Sequence, residues 1–137
     1  MADEAVVTEL LGNNGDVIQM TCAEATDISQ GAILKLTDPR TCIINSGAGD
    51  VLAGIAAHDF TGGEGRTTIG VITNCIAKFK IVSGGTTTLG SSVRVSGTAN
   101  QITLLTTLDE ETGKSLGKAL ETGASTETVL VRVRTLS

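Results

Sequence analysis

The sequence predicts an all-β chain, and three observations carry that prediction. Apolar residues make up 40% of the 137, yet there is no Trp, no Tyr and only two Phe, so the core must be built from Val, Ile, Leu and Ala. Thr is abundant beside Val and Ile, and β-branched side chains suit a pleated, half-buried surface. Seventeen glycines against a single proline, Pro39, supply positive-φ corners. Turn signals recur about every 8–12 residues, the spacing of a sandwich or barrel.

Each strand follows from this pattern. Residues 1–14 form either an N-terminal arm or a first edge strand: the apolar run Ala5-Val6-Val7, then Thr8, continues to Leu10-Leu11 and is broken at Gly12-Asn13-Asn14-Gly15. An arm would add a strand to a partner's sheet, where backbone hydrogen bonds supply affinity. Residues 15–137 are expected to form one β-barrel-like domain. Its strand-length segments are Val17–Cys22, Ala32–Leu36, Thr41–Ile44, Val51–Ala57 and Thr67–Thr73, separated by Gly-rich turns. The near-continuous apolar run Val51–Ala57 reads as a strand buried on both faces.

Two later segments alternate cleanly. In Ala77–Ile81 the apolar residues share one face, and Lys78 and Lys80 the other. In Val129–Arg134 three valines oppose Arg132 and Arg134. The two resulting basic stripes are either the wet side of a half-buried sheet or a contact for an acidic partner. A single helical stretch is suggested over Leu108 to Leu120, opened by the capping-box pattern Thr107-x-x-Glu110 but interrupted by Gly113 and Gly117.

A faint duplication runs through the chain. Gly31 precedes Leu34-Lys35-Leu36 at the offsets at which Gly90 precedes Val93-Arg94-Val95. Ala53-Gly54-Ile55-Ala56-Ala57 aligns with Leu116-Gly117-Lys118-Ala119-Leu120. Gly31, Gly54, Gly90 and Gly117 are therefore singled out as structural turn glycines. The expected architecture is a compact β-barrel or β-tulip-like domain of two similar halves, closed to hide its edges, with at most one short helix.

Composition excludes several functions. A net charge of −5 argues against sequence-independent nucleic-acid binding, which needs a basic footprint. No apolar run reaches the length of a membrane span, and the acidic N-terminus does not resemble a secretory signal. Cys22, Cys42 and Cys75, odd in number and widely spaced, read as free thiols in a reducing cytosol.

No catalytic, cofactor or metal site assembles from the sequence. Thr112-Gly113-Lys114-Ser115 ends like a phosphate-binding loop, but Leu108 stands where the pattern needs glycine, and Asp109-Glu110-Glu111 would repel phosphate. His58, the sole histidine, sits beside Asp59, yet nothing aims a Ser or Cys nucleophile at it, and a rim histidine after an apolar strand is common. The three cysteines and His58 lack the close ligand pairs of zinc sites. They read as small buried hydrophobes.

The series Asp27-Ile28-Ser29-Gln30-Gly31, Leu34-Lys35-Leu36, Ala53-Gly54-Ile55-Ala56 and Gly62 to Gly65 resembles the capsid decoration, or head cement, proteins of tailed bacteriophages and related archaeal viruses. So do Ser83-Gly84-Gly85 before Leu89-Gly90, then Val93-Arg94-Val95, Leu116–Glu121 and Val129–Val133, so the resemblance covers residues 15–137. It implies a β-barrel-like homotrimer without enzymatic activity or cofactor, made in the host cytoplasm. Such a trimer sits on the outer surface of the virion, at three-fold and quasi-three-fold positions of the major capsid protein lattice. Ala5 to Leu11 would be a capsid-binding arm. A host-attachment or carbohydrate-binding module is the alternative, weakened by the shortage of aromatic rings; a small enzyme is the second alternative, weakened by the missing constellation.

Overall fold

The structure, a computed structural model, describes residues 4–12, 14–22, 27–38, 41–44, 51–63, 65, 67–96, 98, 100–104 and 115–134. Among the described residues there are eleven strands and no helix. They are β1 (Val6–Leu10), β2 (Ile18–Thr21), β3 (Ile33–Asp38), β4 (Thr41–Ile44), β5 (Leu52–Ala56) and β6 (Thr68–Ile72), followed by β7 (Asn74–Ile81), β8 (Ser92–Val95), β9 (Gln101–Leu104), β10 (Gly117–Ala119) and β11 (Thr128–Arg134).

The strands make two closed five-stranded rings. The first runs β2-β4-β3-β5-β6 and back to β2. The second runs β7-β11-β10-β8-β9 and closes by pairing of β7 with β9, while β1 lies against β7 as an extra edge strand. Closure leaves few unpaired backbone edges in so short a chain.

The rings repeat each other strand for strand. In each, the first strand pairs parallel with the third (β2 with β4, β7 with β9), and every other contact is antiparallel. Register agrees as well: Gln19 faces Gly70 and Thr21 faces Thr68 in the first ring, as Lys78 faces Leu130 and Lys80 faces Thr128 in the second. Backbone bonds outside the ladders recur too. Gly31 N–H donates to Ala56 O at 3.0 Å and Gly90 N–H to Ala119 O at 2.8 Å. Ala57 N–H donates to Gly70 O and Leu120 N–H to Leu130 O, both at 2.9 Å. The faint duplication of the sequence is thus a duplicated fold.

Of the four glycines expected in turns, Gly31 and Gly90 are in turns, at φ of 91° and 86°. Gly54 and Gly117 are instead inside strands β5 and β10. Their role is close approach: a Cβ on Gly54 would strike the carbonyl oxygen of Ile72, and one on Gly117 that of Arg132, in the neighbouring strand. The helical expectation over Leu108 to Leu120 is corrected at its end, where Gly117–Ala119 is strand β10, because pairing to β8 and β11 on both sides outweighs local helix propensity. Residues 105–114 of that stretch lie outside the described residues.

Two cores fill the rings. Met20, Cys22, Ala32, Leu34, Cys42, Ala53, Phe60, Ile69 and Val71 pack in the first. The second collects Phe79, Ile81, Val93, Val95, Ile102, Leu116, Val129, Val131 and Val133. It also takes Ile33, Leu52, Ile55 and Ile72 from the far faces of β3, β5 and β6, which explains why every residue of β5 is buried. Fully burying one such aliphatic side chain contributes about 1.5–3 kcal/mol. A buried polar link accompanies this packing: Ile33 N–H donates to Oδ1 of Asn100 at 2.9 Å, with Asn100 held at φ 64°.

The N-terminal segment ties the rings together. Ala5 is buried, and its N–H donates to Gly31 O of the first ring at 2.8 Å. Val6, Val7, Glu9 and Leu10 then pair antiparallel with Lys78, Ala77, Ile76 and Cys75 of the second, with a bulge between Val7 and Glu9. Val7 packs on the second core, whereas Val6 points outward and is 61% exposed. Residues 6–10 therefore form an edge strand on the chain's own sheet.

Candidate interaction surface

His58 and Asp59, the most tempting catalytic pair of the sequence, are occupied by backbone. Gly70 N–H donates to His58 Nε2 at 3.2 Å, and Nδ1 lies 3.0 Å from the carbonyl oxygen of Asp59. An amide donor at Nε2 requires a lone pair there, so Nδ1 carries the proton and donates to Asp59 O. The Asp59 carboxylate accepts from Gln30 N–H through Oδ1 at 2.7 Å.

The second ring repeats both bonds with different side chains. Glu121 Oε1 accepts from Leu130 N–H at 2.8 Å, and Thr122 Oγ1 accepts from Leu89 N–H at 3.0 Å. Leu130 and Gly70 occupy equivalent positions, as do Leu89 and Gln30. The histidine thus does what a glutamate does in the other ring: it satisfies a strand amide.

The other chemical candidates also fail to converge. Cys22 and Cys42 belong to the first core and Cys75 to the second, and all three are buried thiols outside any disulfide. Burial pushes the Cys42 thiol up to about 11, with Cys22 adding to the rise; burial likewise pushes Cys75 up to about 11 against the lowering influence of Arg132. Among the described residues no group of three His, Cys, Asp or Glu is placed to hold a metal ion. No helix among them is long and apolar enough to cross a membrane. Thr112, Gly113 and Lys114 of the phosphate-loop-like motif lie outside the described residues.

What the fold does assemble is a surface. Strands β7 and β11 are antiparallel neighbours, so the two basic stripes of the sequence interleave on the outer face of the second ring. Arg134 faces Asn74, Arg132 faces Ile76, Leu130 faces Lys78 and Thr128 faces Lys80. Neighbouring strands extend these rows. Lys118 on β10 lies beside Arg132, and Glu9 on β1 beside Ile76. Leu120 follows next to Leu130, and Val6 lies beside Lys78.

Lys78, Lys118 and Arg134 are exposed, and Lys80, Leu130 and Arg132 partly so. Arg132 reaches Asn74 Oδ1 through Nη2 at 2.7 Å, and Asn74 Nδ2 in turn donates to Asp16 Oδ2 at 2.9 Å. The sequence reading missed Lys118, because the helical pattern around it hid a three-residue strand. Its place in the duplication, one residue after Gly117 as Ile55 follows Gly54, was the available signal.

The model of a phage cement protein family matches residues 12–135, a span that takes in both rings. This chain belongs to the phage cement protein family. As a cement protein it is a structural protein associated with the phage capsid. No curated protein sequence matches it. Its fold is similar to that of the head fiber gp8.5 N base in bacteriophage phi29, at 12% identity and a TM-score of 0.50, covering 88% of this chain and 98% of that one.

Proposed function

We propose that this cement protein binds the outer surface of an icosahedral capsid as a homotrimer, at three-fold and quasi-three-fold positions, and holds the shell against the pressure of its packed genome without performing a reaction. The observation that carries the reading is the family match across both rings. Rigid closed rings support it, since a clamp must resist deformation. So does the His58–Asp59 pair, which is engaged by the backbone N–H groups of Gly70 and Gln30 and the carbonyl of Asp59. A trimer gripping several shell subunits forms its second and third contacts at high effective concentration, so weak single contacts sum to tight binding. Its binding free energy adds to that of the intact shell by mass action.

Residues 15–137 act as one decorating unit in this reading, and Gly31, Gly54, Gly90 and Gly117 keep its two rings in shape. The segment Ala5, Val6, Val7, Thr8, Leu10 and Leu11 contributes to the contact. β1 is the terminal strand of its sheet, with Val6 and Leu10 exposed, and its outer edge is suited to pairing with a neighbour. The carbohydrate-binding alternative loses ground, because Phe60 and Phe79, the only aromatic residues, are each 1% exposed and offer a sugar no stacking platform.

Incubation with undecorated capsids tests the proposal. Saturable binding, a higher thermal rupture temperature of the particle and a trimer by sedimentation are expected. A folded protein that leaves capsids unbound, or binds without raising the rupture temperature, overturns it.

A further inference from the structure

The duplication provides an internal control for what the outer face of the second ring is for. Equivalent positions on the two rings are fixed by register, so the residues that the scaffold needs can be separated from those it does not. Where the first ring has Gln19, Thr21 and Gly70, the second has Lys78, Lys80 and Leu130. Ile72 and Arg132 are likewise equivalent, since each carbonyl lies where a Cβ on Gly54 or Gly117 would strike. The first ring closes with the same topology and uncharged residues at all of these positions. Cations on the second are therefore not a requirement of the fold.

At one of these positions the charge is retained at a cost. Ile72 is a buried apolar side chain that needs no partner, whereas the buried Nε of Arg132 has no hydrogen-bond partner. Leaving such a donor unsatisfied is unfavourable. Charge is also divided unevenly along the chain. Seven of the ten Lys and Arg, but only five of the fifteen Asp and Glu, lie at residues 74–137. Of those five, Asp109, Glu110 and Glu111 are outside the described residues, and Glu121 and Glu127 accept hydrogen bonds from the backbone N–H groups of Leu130 and Ala124.

We infer that the outer face of the β1-β7-β11-β10 sheet is the docking surface, and that it recognises an acidic protein surface. Lys78, Lys80, Lys118, Arg132 and Arg134 supply the charge, offset in part by Glu9 of β1, and Val6, Leu130 and Leu120, which flank Lys78, supply the apolar contact that excludes water. This rests on the reading above, which makes that acidic surface part of the capsid lattice, and it sets the orientation: second ring against the shell, first ring outward. Such a face steers encounter and fixes register, while the apolar contact slows release.

The test is binding of Lys78→Glu/Lys118→Glu to undecorated capsids beside the wild type and a control, Thr21→Glu/Thr68→Glu, which places the same charges on the first ring. Reversal on the second ring is expected to weaken binding about ten- to hundredfold near 0.1 M salt. The control should stay within about twofold of the wild type, whose own binding should weaken as salt rises. Should the reversal variant prove misfolded by circular dichroism, Lys78→Met/Lys118→Met keeps the apolar stems and removes only charge.

Wild-type binding matched by the second-ring variants overturns this inference and leaves the cement reading standing. A wild type that does not bind capsids overturns both. Loss of oligomerisation in the reversal variant, with capsid binding per chain unchanged, shows that a second copy occupies the face and overturns the capsid as its partner.

Discussion

The two rings of this cement protein share connectivity, register and the hydrogen bonds that close their corners, and they differ in the side chains that perform the same task. In the first ring a histidine and an aspartate satisfy the amides of Gly70 and Gln30; in the second a glutamate and a threonine satisfy those of Leu130 and Leu89. The scaffold demands an acceptor at each corner and tolerates several kinds. Close contacts are less permissive, for both rings keep glycine where one strand crosses against the next, at Gly54 and at Gly117. The outer faces are the most divergent, with Gln19, Thr21, Gly70 and Ile72 of the first ring standing where the second has Lys78, Lys80, Leu130 and Arg132. Divergence between two copies of one fold separates what folding requires from what a partner requires.

The largest expected effects come from the positions that both rings keep. Gly117→Ala places a methyl group against the carbonyl of Arg132, with backbone atoms of Arg132 and Val133 close behind, so β10 cannot relax by moving a side chain. A loss of about 3 kcal/mol or more is expected by denaturant unfolding, toward the upper end for single substitutions. The turn glycines sharpen the comparison because their surroundings differ. A Cβ on Gly31 strikes the backbone of Ala5, which runs over it, whereas nothing lies within 4 Å of one on Gly90. Gly90→Ala should then cost only the positive-φ penalty, about 1–2 kcal/mol. Gly31→Ala should cost distinctly more and loosen the N-terminal segment. Equal losses at the two sites would show that the N-terminal segment does not constrain the first ring.

Asn100 tests the joint between the rings and comes next in size. Its Oδ1 is the acceptor for the buried Ile33 N–H, so Asn100→Ala leaves that amide unpaired at a cost of about 1–3 kcal/mol. Asn100→Asp keeps an acceptor oxygen and should recover part of the loss. If alanine and aspartate behave alike, packing of Ile33, Leu52, Ile55 and Ile72 on the second core holds the rings together without help from this bond.

The buried thiols predict a pH dependence of smaller size. Cys42 and Cys75 are raised to about 11, so each favours the neutral form in the folded chain. Their contribution is complete below the unfolded value of 9.0 and is lost as pH rises from there toward 11, because only the unfolded chain ionises readily. Unfolding free energy should fall across that window, and less steeply in Cys42→Val and Cys75→Val. An unaltered slope in both variants would assign the alkaline loss to other groups.

How much of this was legible in the sequence follows from strand length and patterning. Alternating or continuously apolar runs located β2 to β7 and β11, and the lysines and arginines of β7 and β11 showed their outward faces. β9 and β10 were not legible. Gln101–Leu104 and Gly117–Ala119 are too short for alternation to register, and their strand state is imposed by neighbours on both sides. The duplication could be seen in glycine spacing, but its exact correspondence could not, since the separation is 59 residues from Gly31 to Gly90 and 63 from Gly54 to Gly117. Alternation along Ala77–Ile81 and Val129–Arg134 showed that basic stripes existed. Only pairing of β11 with β7 showed that they form one surface, and only β10 added Lys118 to it.

The smallest expected effect is also the most direct test of equivalence. Exchanging the first ring's corner pair for the second ring's, His58→Glu with Asp59→Thr, preserves an acceptor for each amide and leaves the net charge at neutral pH unchanged. If the rings are interchangeable at this corner, unfolding free energy should shift by less than about 1 kcal/mol. His58→Ala is the reference. It removes the acceptor for Gly70 N–H in a buried strand and should cost about 1 kcal/mol or somewhat more. Capsid binding should be unaffected in the exchange variant, because His58 and Asp59 lie on the ring assigned to face outward. A double exchange as damaging as the alanine variant would mean that the imidazole has a requirement of its own that Glu121 does not share, and the case for a purely structural histidine would end there.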